Sequence, residues 1–258
     1  MRLRKRNVRP PVRLPLYFGN PAGRAGSEGE AKRFAAYAAG ELGFIDTPRQ
    51  GNVRPAGVPW CMDNGCFNEA AWDEGEFAAA LERNADDLAD CWFAVAPDVV
   101  GDAEATLVRA EPWIDKMAAL GYPVAFVAQN GWAAPGYADR VPWDRIDWIF
   151  IGGDDLFKLG PEGRQAIRDA QAHGKKVHLG RANSEIRHRY SSGLGLDSLD
   201  GTFLTFGDVE RGENVDRLVD WVRRIAADLG AGHDAAWRGR QAYVPEVDEL
   251  DAIEAVAA

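Results

Sequence analysis

Between residues 14 and 208 the chain alternates short, almost continuously apolar runs with stretches whose apolar positions recur at helical spacing. The runs are LPLYFG (14–19), GVPWCMD (57–63), CWFAVAPD (91–98), YPVAFVAQ (122–129), DWIFIGG (147–153), KKVHLGR (175–181), GLDSLD (195–200) and TFLTFGD (202–208). Most are rich in β-branched or aromatic residues, and their unbroken apolar character is that of strands buried on both faces. Helices are predicted over 28–40, 74–90, 103–120, 162–173 and 213–229, where apolar residues fall on one face. Gly40 ends the first, and Gly174 and Gly230 follow two others at the position where a helix commonly stops.

Strand and helix in repeated alternation mean a parallel sheet. Eight candidate strands in a chain of 258 residues fit a single-domain (β/α)8 TIM barrel over 14–230 better than an open sheet. Residues 41–56 read as a long loop rich in Pro, Gly and Arg, and the seventh and eighth strands lie close together. No GxGxxG or GxxxxGK[ST] follows any strand, which argues against a doubly wound nucleotide-binding fold.

Charge changes the picture at the ends. Residues 1–13 carry six basic side chains and no acid, while 243–258 carry five acids and no base. Both read as solvated tails, the second within a C-terminal extension over 231–258. The basic one has a functional alternative as a phosphate-contacting arm. A net charge of −10 excludes a protein that grips nucleic acid with its whole surface. It leaves open a local basic patch of Lys175, Lys176, Arg181, Arg187, His188 and Arg189, which otherwise reads as a solvated helix face.

Three cysteines (Cys61, Cys66, Cys91) form neither a disulfide framework nor a zinc-ribbon pattern, so no zinc subdomain is expected. Reduced thiols and the lack of a signal-peptide core point to the cytoplasm, and no apolar run is long enough to span a membrane.

Candidate chemistry collects where the strands end, which is where a barrel builds its active site. Asp63-Asn64-Gly65, Pro97-Asp98, Gln129-Asn130-Gly131, Gly152-Gly153, Gly180-Arg181 with Asn183, and Asp197 with Asp200-Gly201 each follow an apolar run directly. Any one of them is ordinary turn chemistry. In succession, with three of the six ends bearing a carboxylate, they point to acid–base or nucleophilic work. There is no HxH or HExxH, His178 reads as a core histidine, and no metal or cofactor is expected.

The order DNGCF (63–67), PD (97–98), VAQNG (127–131), IGG (151–153), HLGRAN (178–183) and GLDSLDGT (195–202) resembles the tRNA-guanine transglycosylase superfamily. That family shows an Asp-Ser-Gly-Gly-Phe motif, a base-recognising Asp, a Gln, a Gly-Gly and a Gly-x-Asp-x-x-Asp segment on a (β/α)8 barrel. The resemblance covers roughly residues 57–210. Asn64 and Cys66 replace the motif Ser and second Gly, and the zinc site of three cysteines and a histidine has no counterpart. With its short length, the chain is most similar to the DNA 7-deazaguanine transglycosylases of phages and bacterial modification islands.

The resemblance implies a base exchange in DNA, guanine leaving and a free 7-deazaguanine such as preQ0 entering. Asp200 corresponds to the nucleophile that forms a covalent glycosyl-aspartate, and Asp63 to the proton-handling carboxylate. Asp98 corresponds to the acceptor for the base N1–H and N2–H, and Gln129 and the Gly153 N–H to the groups at O6. Gly152 and Gly153 admit the flat ring, Leu179 stacks on it, and Asn64 and Arg181 complete the substrate-binding set. Asp197 has no assigned role. Two alternatives use the same barrel: a retaining N-glycosidase or nucleoside hydrolase, and the tRNA-acting exchange. A third is an inert barrel that binds nucleic acid or a partner. A homodimer is left open.

Overall fold

The computed structural model describes residues 14–20, 24–49 and 53–230. The basic and acidic tails therefore lie outside the described residues. Eight parallel strands close into a barrel in chain order. They are β1 (Leu16–Gly19), β2 (Leu42–Asp46), β3 (Trp60–Met62), β4 (Cys91–Val95), β5 (Val124–Ala128), β6 (Trp148–Ile151), β7 (Lys176–Leu179) and β8 (Ser198–Gly201). Closure comes from β1 pairing with β8, which sets Phe18 beside Asp200 and Gly19 beside Gly201.

Around the barrel run α1 (Glu28–Ala38), α2 (Glu74–Asn84), α3 (Ala103–Ala119), α4 (Asp155–Leu159), α5 (Pro161–Ala172), α6 (Glu185–Leu194) and α7 (Glu213–Gly230). Side-chain caps fix the starts of several. The Ser27, Asp73, Asp102, Asp154 and Ser184 side chains accept from the backbone N–H three residues on, at α1, α2, α3, α4 and α6. Among the described residues, no helix is long and apolar enough to cross a membrane.

Two expected strands change places. The run 202–208 is not a strand: Phe203–Thr205 form one 3-10 turn. Its Phe203 packs on Trp221 of α7 with ring centroids 4.5 Å apart, and the Asn214 amide donates to the carbonyls of Phe203 and Phe206, both at 2.9 Å. The eighth strand is instead β2, inside the stretch read as a loop. The strand-end motifs therefore shift by one position, Asp63 closing β3 and Asp200 closing β8.

Alternation along the strands makes two cores. Phe18, Cys61, Phe93, Val127 and Trp148 face the barrel interior. Tyr17, Trp60, Phe126, Ile149 and Leu199 face the helices. At the lower end of the interior, Trp148 stacks on Trp92 at 5.9 Å and lies tilted against Phe93 at 4.7 Å. Above this aromatic floor sits His178, its ring 4.6 Å from Phe150 and 5.1 Å from Phe93. These aromatic rings separate two openings: one at the strand starts, walled by Trp92, Trp148 and Lys176, and one at the ends where the strands finish.

Candidate active site

A cavity of about 250 Å³ occupies that end, and every strand reaches its wall. Asp63, Asp98, Gln129, Gly152, Gly153, Arg181 and Asp200 all line it. Residues spread over 138 positions of sequence, from Asp63 to Asp200, are brought to one opening by the barrel closure.

Asp98 is the best-anchored group. Asn64 Nδ2 donates to its Oδ1 at 2.7 Å, and Gln129 Nε2 donates to its Oδ2 at 2.6 Å. Both amides are locked in turn. Asn64 Nδ2 also donates to the Ala96 carbonyl and Asn64 Oδ1 accepts from the Cys66 N–H, while Gln129 Oε1 accepts from the Gly101 N–H. Neither amide can flip without breaking a bond, so each holds an N–H toward Asp98. Burial nonetheless pushes the Asp98 carboxyl above the usual range, against the opposing pull of these two donors. Each carboxylate oxygen keeps a lone pair for a ligand with two adjacent N–H donors. Asn64 has no donor left for a substrate and acts by holding Asp98, whereas Gln129 retains one N–H.

Asp63 follows β3 in a turn closed by the Gly65 N–H, which donates to Asp63 Oδ1 at 2.8 Å, with Gly65 at φ 74°. Burial, reinforced by the negative charge of Asp200, pushes its carboxyl up to about 7. A carboxyl poised there exchanges a proton near neutral pH.

Asp200 is buried at the end of β8. Its Oδ1 accepts from the Arg181 backbone N–H at 2.6 Å. Its Oδ2 lies 3.3 Å from His178 Nε2, off the line of a hydrogen bond. His178 Nδ1 lies 2.9 Å from Ser198 Oγ, so the ring is fixed from its far side. His178 belongs to the core as expected from sequence, and it also flanks the carboxylate.

Two glycines are dictated by space. A Cβ on Gly152 would come within 2.8 Å of both Gln129 Nε2 and Val127 Cγ1. One on Gly153, at φ 71°, would come within 2.6 Å of the Phe157 ring. Arg181 carries φ 60°, a left-handed conformation that non-glycine residues seldom adopt, and this turn aims its N–H at Asp200. Its guanidinium lies 4.5 Å from the ring of exposed Phe67 at the mouth.

Leu179 is corrected. It is buried in the layer between strands and helices and does not line the cavity. Its neighbour His178 points inward, so the period of two turns Leu179 outward and brings Gly180 to the wall.

The basic patch is also corrected. Lys175 donates to the Ile146 carbonyl and Lys176 lies over Trp148, both at the start of β7, away from the cavity. Arg187 grips Asp155, and Arg189 pairs with Glu185 and Asp228. His188 is buried against Tyr17, and burial pushes its ring down to about 4, leaving it neutral. Only Arg181 of that group stands at the rim.

Asp197 is structural: its Oδ2 accepts from the Val177 N–H at 2.9 Å, tying β8 to β7 at their start. Burial raises the Cys66 and Cys91 thiols to about 12 and Cys61 well above its usual value, so none supplies a thiolate. Among the described residues, no cluster of three His, Cys, Asp or Glu is placed to hold a metal ion.

Sequence reasoning missed Lys158 of α4, which lines the cavity while only 2% exposed. Its cue is a lysine inside the apolar run DLFKL just past Gly152-Gly153.

The fold and this wall define a (β/α)8 barrel with a carboxylate-lined pocket at the end where its strands finish. A scan against protein-family models gave no match, and a search of curated proteins gave none either.

Proposed function

We propose that this barrel is a base-exchanging transglycosylase, replacing guanine in DNA with a free 7-deazaguanine. One observation carries the reading. The Asp98 carboxylate is held open by two locked amides in the same cavity as a buried carboxylate, Asp200, and a carboxyl poised near neutrality, Asp63. A guanine presents two adjacent donors, N1–H and N2–H, to which Asp98 offers its two oxygens. DNA as the polymer follows the resemblance to the DNA-acting branch.

In this reading the target nucleotide leaves the stack at a cost of a few kcal/mol and its base enters the cavity. Asp200 attacks C1′ with an oxygen lone pair. The bond from C1′ to N9 breaks, its electrons pass to the base, and protonated Asp63 supplies the proton that neutralises it. The sugar is then held as an ester of Asp200. The incoming base gives its N9 proton to Asp63 and attacks C1′ from the face the guanine left. The Asp200 oxygen leaves as carboxylate, and two inversions give net retention.

The test is a nucleoside digest of DNA and RNA after incubation with the protein and labelled guanine. Label entering DNA alone is the expected result. Release of guanine without incorporation would make the protein a glycosidase. Label in RNA alone would move the substrate to tRNA. Neither release nor incorporation would overturn the reading.

A further inference from the structure

Two donors flank the Asp200 carboxylate, and they are not equivalent. The Arg181 backbone N–H meets Oδ1 at 2.6 Å in a full hydrogen bond that the turn holds in place. On the other side, His178 Nε2 lies 3.3 Å from Oδ2 and completes no hydrogen bond among the described residues.

His178 is fully buried, its ring packed on Phe150 at 4.6 Å, Phe93 at 5.1 Å and Phe18 at 6.2 Å. Polar contact is left to its two nitrogens. Nδ1 lies 2.9 Å from Ser198 Oγ. The Ser198 hydroxyl has no other hydrogen-bond partner among the described residues, so it donates to Nδ1. Nδ1 then presents its lone pair, and Nε2 carries the ring proton. That proton faces Asp200. The opposite tautomer would set a lone pair against the carboxylate.

Ester formation treats the two oxygens of Asp200 differently. One becomes a carbonyl and remains a good acceptor. The other is joined to the sugar and becomes a poor one. Oδ1, with its full bond from Arg181, fits the carbonyl. Oδ2, with no completed bond, keeps its lone pairs for C1′. On the base-exchange reading, on which this step rests, we infer that Oδ2 is the attacking oxygen and that His178 sets the lifetime of the glycosyl ester, donating from Nε2 to Oδ2 as that oxygen departs.

In the first displacement the bond from Oδ2 to C1′ forms while that from C1′ to N9 breaks, and the Nε2 proton loses its charged neighbour. In the second, N9 of the incoming base bonds to C1′, the electron pair returns to Oδ2, and the Nε2 proton meets the recovering charge. No proton leaves the ring in either step. The donor therefore favours the departing carboxylate over the ester, as fixed donors favour charge that develops in a transition state. A hydrogen bond to a charged group corresponds to about 10- to 100-fold in the rate at which the ester resolves.

Rapid-quench exchange with DNA and labelled guanine tests this, reading the fraction of protein held as DNA adduct beside kcat and KM. His178→Phe keeps a ring on the aromatic floor and removes the Nε2 proton. It should lower kcat by about 10- to 100-fold, lower KM with it and raise the adduct fraction, because the ester forms and then waits. Ser198→Ala keeps the ring but releases its tautomer, and should move all three in the same direction by less. A residue that merely props up the site would lower kcat and the adduct fraction together without lowering KM. That result in His178→Phe, or in Ser198→Ala where His178→Phe does not fold, would overturn the role of His178 alone, as would an adduct fraction that neither substitution alters. Absence of both adduct and exchange in the unmodified protein would overturn the base-exchange reading and this role with it.

Discussion

Asp98→Asn separates a base-recognition carboxylate from a turn residue, because its consequences are set by two neighbours that cannot adapt. In the native site both oxygens of Asp98 face amide donors, Asn64 Nδ2 and Gln129 Nε2. The substitution turns one oxygen into an NH2 group. Whichever way the new amide is placed, one donor faces another. Asn64 cannot flip while it serves Ala96 and Cys66, nor Gln129 while it serves Gly101. A buried donor left without an acceptor costs about 1–3 kcal/mol, which for a chain of this size lowers the melting temperature by about 2–12 °C. The ligand loses more. Two bonds to a carboxylate at about 1.5–3 kcal/mol each make up about 3–6 kcal/mol, or roughly 100- to 10,000-fold in affinity. The amide keeps one acceptor at best, so Asp98→Asn should fall towards the Asp98→Ala loss and not midway back to native. Titration calorimetry with guanine measures the affinity, and a thermal melt measures the fold. Native guanine affinity in Asp98→Asn would refute the assignment of Asp98 to the base edge.

Four further outcomes are expected. Exchange rate should fall as pH rises through about 7, where Asp63 loses the proton it donates, and a rate profile of Asp63→Asn should lack that limb at a much lower plateau. The same raised value has a stability sign: Asp63 favours folding below its ordinary value of 3.8, and that contribution is lost as pH climbs to about 7. Denaturant melts of Asp63→Asn should therefore show a shallower decline across that window. Incubation with DNA and a slowly departing base should trap an adduct that survives denaturing electrophoresis and maps to Asp200. Asp200→Asn should abolish it, and Asp200→Glu should lose about 100-fold in rate because the attacking oxygen moves by about 1 Å; an adduct on Asp63 would exchange the two roles. Deletion of residues 1–13 should weaken DNA binding and flatten its salt dependence, since fewer counterions are released, and an unchanged slope would make the segment a passive tail.

The strand ends were legible because an apolar run that stops at a polar residue is the one-dimensional trace of a buried strand reaching the barrel rim. β2 was not, because Leu42–Asp46 is a five-residue strand with a glycine inside it, set between Gly40 and Pro48. The run after Asp200 misled for the opposite reason. Its apolar residues are real core, but they pack under α7 from a turn, and β1 already pairs with β8 to close the barrel. In sequence α6 looks like charged surface because two of its polar residues, Arg187 and His188, are buried, which erases the usual apolar stripe. For Leu179 the missing information was parity. Val177, His178 and Leu179 are all compatible with a strand buried on both faces, and only the inward placement of His178 says which of them a ligand can touch. Lys158 shows the general limit: a lysine on a short helix looks solvated until the neighbours that bury it are known.

The backbone at Arg181 sets stability against activity. A side chain in the left-handed region costs roughly 1–2 kcal/mol, and glycine removes that cost. Replacement by glycine would keep the N–H that binds Asp200, relax the turn and delete the guanidinium over Phe67. A search for thermostable variants would therefore enrich glycine at this position while stripping the mouth of the cavity of its exposed cation. A selection for turnover would hold arginine there against the same conformational pressure. The two selections, run on one library, should diverge at this residue before they diverge in the barrel core.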